Sequence, residues 1–127
     1  MGNLLLIGLG GALGAMARYW LGGRVQALSG SFSFPYGTLA VNVMGAFLLG
    51  FLAYLVEGRG LLTPEARALL MVGLLGAFTT FSTFGLETLN LLREGQTASA
   101  LANIGASLLL SLLAVWAGRY LPELLRS

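Results

Sequence analysis

Charge is confined to short clusters in this sequence, and four long stretches between them carry none. The stretches are Met1–Ala17, Ser29–Val56, Ala68–Leu86 and Gly95–Gly118. A bilayer crossing needs roughly 20 mostly apolar residues, so each stretch is long enough for one. Only 9% of the 127 residues are charged, where a soluble domain has about 25%. Four spans with short connections use up the chain. The expectation is one all-α membrane domain over residues 1–127, with spans near 3–28, 35–57, 64–94 and 97–121 and no soluble domain.

The missing residue types narrow the chemistry. The sequence has no Cys, no His and no Asp. That removes disulfides, thiol chemistry and imidazole-based catalysis or metal binding. Proteolysis within a membrane needs a Ser/His pair or paired Asp. The one acid inside a span, Glu87, has no base or metal ligand beside it, so an enzyme is not expected. The partner expected from composition is the lipid bilayer, not nucleic acid. No positive residue precedes Arg18; a signal peptide needs such residues at its start, so the first stretch reads as a retained span.

Orientation is weakly encoded. Four spans place Arg59, Arg67, Arg119 and Arg126 on one side, with Arg24 and Arg93 on the other and Arg18 at the end of its span. The arginine bias across the membrane sets orientation, and here it is nearly balanced. Insertion in both directions, and with it an antiparallel pair of copies, is one outcome. The other is that something besides charge decides.

Within the spans, small and polar residues form patterns. Gly8, Gly11, Ala15, Arg18 and Gly22 share a stripe, and Gly10 with Gly14 makes a GxxxG pair suited to close helix packing. Pro35 is expected in the first turn of the second span, and Thr63-Pro64 as the cap and first residue of the third. Thr38 and Asn42 lie four apart on one face, as do Asn103, Ser107 and Ser111 on another. The third span contains "GAFTTFSTFGLE", Gly76 to Glu87, rich in poor helix formers. A break near the middle of that helix is expected, lining a cavity or buried in protein. Columns of uncharged donors suit a path for a small, strongly hydrated ion. An aromatic ring has a positive edge, so Phe81 and Phe84, three apart, are candidates to face an anion. Phe78 either extends that row or faces lipid.

"GGALGAMARY" (Gly10 to Tyr19), "GTLAVNVMGAF" (Gly37 to Phe47) and "GAFTTFSTFGLE" together resemble the signature segments of the Fluc fluoride channels, the CrcB-like family. The resemblance runs in order over all four spans. It implies a dual-topology antiparallel homodimer with two pores, passively exporting toxic fluoride across a bacterial or archaeal plasma membrane. It implies that Phe81 and Phe84 are the paired pore phenylalanines, Asn42 the pore asparagine, and Thr38, Ser107 and Ser111 the polar track. It further implies that Gly76 and Thr79 form a break whose carbonyls, from both subunits, hold a structural sodium ion. Arg18 matches a vestibule arginine, and Glu87 the acid that closes the motif. Asn103 stands where many members have a tyrosine; the track begins there with an amide, or that position's role is lost.

Each of these residues also has a structural reading. Span hydroxyls bond back to their own helix, and Asn42 can be interhelical glue. Arg18 and Glu87 can reach the interface. A small dual-topology multidrug or cation transporter is the rival function, but it needs a mid-span acid in the first helix, where this chain has only Arg18. A membrane assembly subunit would explain the helices and not the Phe/Thr motif.

Overall fold

A computed structural model of the chain describes residues 2–126, and among them every regular element is helical. Helix α1 is Gly2–Ser29 and α2 is Tyr36–Gly58, the latter ending in a widened, π-type turn over Tyr54–Gly58. Helix α3 covers residues 64–78, with π-type winding over Ala68–Leu75. Helix α4 is Phe81–Arg93 and α5 is Thr97–Arg126. Helices α3 and α4 together make one crossing, so the described residues hold four crossings long and apolar enough for a membrane. Their outer faces expose Leu4, Leu5, Leu108, Leu109, Leu112 and Leu113, which lipid would cover.

Helices in lipid gain little from burying apolar surface and must gain from close contact instead. Glycine provides it at three seams. A Cβ on Gly10 or Gly14 would overlap backbone of α3, and one on Gly73 would overlap α1. A Cβ on Gly37 of α2 would overlap the Gly22 carbonyl of α1. Gly50 and Gly118 face each other's helices in the same way, across α2 and α5. The Gly10/Gly14 pair is therefore the packing surface of α1. The wider stripe is less uniform, since Gly8 has open space around it and Gly11 only grazes Gly73.

The ends of the spans are capped by polar side chains. Gln26 of α1 donates from Nε2 to the Ser31 and Phe34 carbonyls, each at 2.9 Å, and its Oε1 accepts from the Gly37 amide at 2.8 Å. One side chain near the end of α1 thus holds the first loop and bonds the first turn of α2. Pro35 is the cap residue of α2, one position earlier than expected, and its carbonyl accepts the Leu39 amide at 3.1 Å. Thr63 and Pro64 start α3 as the sequence predicts, with Thr63 Oγ1 accepting from Ala66 at 3.1 Å. The last helix runs beyond residue 121, through Pro122 to Arg126. Arg119 holds Glu123 one turn on at 3.4 Å and Glu57 of α2 at 3.1 Å.

Gly118→Val is expected to lower stability in detergent by about 1–3 kcal/mol, the usual cost of overpacking. Thermal unfolding against the parent chain measures it, and Gly50→Val should behave alike because the same seam is forced apart.

Candidate ion pathway

The third crossing is broken at two threonines. Thr79 (φ −90°, ψ 153°) and Thr80 (φ −150°, ψ 121°) are extended, a conformation that β-branched residues favour. Gly76 is helical, with φ −61° and ψ −37°, which corrects the expectation that it forms part of the break. Glycine permits a break but does not impose one.

Tertiary partners impose it. Asn42 of α2 donates from Nδ2 to the Thr80 carbonyl at 3.0 Å and accepts from the Thr80 amide on Oδ1 at 2.8 Å. In an unbroken helix the Thr80 amide would bond the Gly76 carbonyl, so the Gly76 carbonyl is left without that donor. Arg18 Nε donates to the Ala77 carbonyl at 3.2 Å. Thr79 gives both its amide and its hydroxyl to the Leu75 carbonyl, each at 3.1 Å. Gly45 lets the break lie against α2, because a Cβ there would overlap Thr79. Thr80 then starts α4. Its Oγ1 accepts the Thr83 amide at 3.3 Å and donates to the Thr83 hydroxyl at 3.1 Å.

Two cavities flank the break. The first, of about 370 Å³, is lined by Asn42, Thr79, Thr80, Phe81, Phe84, Ser107 and Ser111 among others. Five of the six residues assigned to an ion path therefore share one space. The sixth, Thr38, lines a second cavity of about 560 Å³ together with Arg18, Gln26 and Glu87. Thr80 lines both and stands between them. The column of Thr38 and Asn42 is thus divided, with one residue on each side of the break.

The Phe81 and Phe84 rings lie 5.5 Å apart at 42°. Phe81 is 77% exposed, so one chain leaves the first cavity open on that side. Phe78 neither joins the row nor meets lipid; it is buried with Val41 and Leu75. The two extended residues after it rotate α4 away from the α3 register. Arg18 turns to the break and lines the second cavity. Glu87 is half-buried, and its Oε1 has no hydrogen-bond partner among the described residues. Asn103 does not line the first cavity and is 1% exposed behind it. Gln26 and Thr88 carried no signal in the sequence. Thr80 did, as one of the third span's hydroxyl donors (Thr79, Thr80, Ser82 and Thr83) beside an expected break.

A family model described as CrcB-like protein, Camphor Resistance (CrcB), matches residues 5–119. The chain belongs to the CrcB-like family. Its CrcB-like relatives include a protein of Opitutus terrae named Fluoride-specific ion channel FluC, 51% identical over 120 residues, 93% of this chain and 90% of that one. A protein of that name in Rhizobium meliloti is 50% identical over 118 residues, 93% of this chain and 94% of that one. Another, in Methylococcus capsulatus, is 48% identical over 121 residues, 95% of this chain. The chain spans about half of that longer relative, 53% of its length.

Thr80→Val keeps the shape of the side chain and removes the oxygen that caps α4. The expected loss is about 1 kcal/mol of stability, as for other lost caps, read by thermal unfolding in detergent. Thr80→Ser keeps the oxygen and should lose less than half as much.

Proposed function

We propose that this chain is a passive, fluoride-selective channel that lets cytoplasmic fluoride leave the cell. The observation that carries the reading is the shared cavity at the broken helix. It joins amide, hydroxyl and aromatic groups from three crossings, in a chain whose relatives are named as fluoride channels. Fluoride holds its water tightly, so a path must replace that water with donors. Hydroxyls supply some. Asn42 keeps one Nδ2 proton beyond the one given to Thr80. The Phe81 and Phe84 edges add weakly positive, non-exchanging contacts.

The pore-forming unit in this reading is an antiparallel homodimer. Two features support it: the nearly balanced arginines and the exposure of Phe81 on the open side of the cavity. A second copy would close that side. The compartment is the plasma membrane of a bacterium or archaeon.

Sodium would sit where the two breaks meet. The Gly76 carbonyl has lost its helical donor to Asn42, and Thr79 ends α3 in extended backbone. Carbonyl oxygens are the hard ligands that a small cation takes, so the residues fit, with each copy supplying part of the set. A bound sodium would supply fixed positive charge, offsetting the cost of anions in a low-dielectric interior. Arg18 supplies a second positive charge at the same break.

Ion efflux from liposomes holding the pure protein tests the reading. Fluoride should leave quickly and chloride at background rate. Equal chloride efflux, or none for fluoride, would overturn it. Phe81→Ile should cut fluoride flux at least about tenfold, or about 1.4 kcal/mol in barrier, while the dimer stays intact by size-exclusion chromatography.

A further inference from the structure

Behind the first cavity, three buried polar side chains link α4 to α5. Asn103 is 1% exposed, and Thr88 and Ser107 are buried with it. Thr88 Oγ1 donates to the Phe84 carbonyl at 2.7 Å. Asn103 Nδ2 donates to Thr88 Oγ1 at 2.9 Å. Ser107 Oγ donates to Asn103 Oδ1 at 3.3 Å.

The far end of the row fixes the direction of every link. A carbonyl only accepts, so Thr88 commits its single proton to Phe84. Thr88 Oγ1 can then only accept from the next group, which requires the NH₂ of Asn103 on that side. The amide oxygen must face Ser107, and Ser107 must donate. Reversing Asn103 would set its oxygen against an oxygen whose proton is already used, inside a buried site where such a mismatch is costly.

The consequence reaches the cavity. Ser107 and Ser111 both line it. The Ser107 proton is turned away toward Asn103, so Ser107 offers the cavity lone pairs. Ser111, one turn on, makes no side-chain hydrogen bond among the described residues, and its proton is free to turn toward an anion. We propose that Thr88 and Asn103 are positioning residues that select between the two serines, holding the Ser107 proton back and leaving Ser111 as the hydroxyl donor of α5. This also gives Asn103 a role: the amide at that position acts from behind the path. For its transport arm the proposal rests on the fluoride-channel reading; its spectroscopic arm does not.

The spectroscopic arm uses ¹⁵N-asparagine-labelled protein in micelles and follows hydrogen exchange of the Asn103 side-chain amide. Thr88→Val should abolish its protection, and Ser107→Ala should leave it. The opposite pattern, or protection that survives Thr88→Val, would overturn the assigned direction whether or not the protein conducts. The transport arm measures fluoride efflux from liposomes. The loss caused by Ser107→Ala should be about fivefold greater in an Asn103→Leu background than in the parent, because the released proton then serves the cavity. Equal losses in both backgrounds would overturn the positioning role. Absence of efflux from the parent protein would overturn the channel reading and with it that role, while the exchange data would still decide the direction of the row.

Discussion

The side-chain amide of Asn42 holds both polar groups of the Thr80 backbone, at 2.8 and 3.0 Å. A backbone N–H or C=O left bare in hydrocarbon costs several kcal/mol, so a helix in lipid does not open by itself. Asn42 makes opening tolerable because it offers one donor and one acceptor at the spacing of a peptide group. With the Thr80 amide taken, the Gly76 carbonyl loses its helical partner. With Thr80 extended, α4 starts in a new register that carries Phe81 and Phe84 into the cavity while Phe78 stays in the core. One contact therefore links the anion-facing residues to the carbonyls proposed to face a cation.

The rest of the structure lets that contact form. Gly45 has no side chain to push Thr79 away from α2. The Gly10, Gly14 and Gly73 seam brings α1 against α3, and Arg18 reaches the Ala77 carbonyl at the end of α3. Arg18 thus supplies a donor to the broken backbone and a fixed positive charge within the protein. On the far side, the Thr88–Asn103–Ser107 row ties α4 to α5 through buried groups. Surface charge pairs such as Arg119 with Glu57 add little by comparison, since exposed pairs are worth about 0–1 kcal/mol.

The four crossings were legible because lipid demands long uncharged stretches, a local property of sequence. The Thr63-Pro64 start was legible for the same reason. The break was legible as a tendency, from threonines and phenylalanines crowded into one turn, but its position was not. Gly76 suggested a break one turn too early, because what fixes the site is Asn42, 38 residues away in sequence. Periodicity failed wherever it was carried across the break. Phe78 and Phe81 have helical spacing but belong to different helices, and Thr38 and Asn42 share a face but lie on opposite sides of Thr80. The role of Asn103 was illegible because direction in a hydrogen-bond row depends on its terminal partner, the Phe84 carbonyl, which no spacing rule supplies.

The backbone state of Thr79 and Thr80, with and without Asn42, tests the account at its centre. Threonine-labelled protein in bilayers reports it through ¹³Cα and ¹³Cβ shifts. Extended-type shifts are expected at both residues in the parent chain, with Thr80 moving toward helical values in Asn42→Leu. Helical shifts in the parent chain, or extended shifts that persist unchanged in Asn42→Leu, would contradict it.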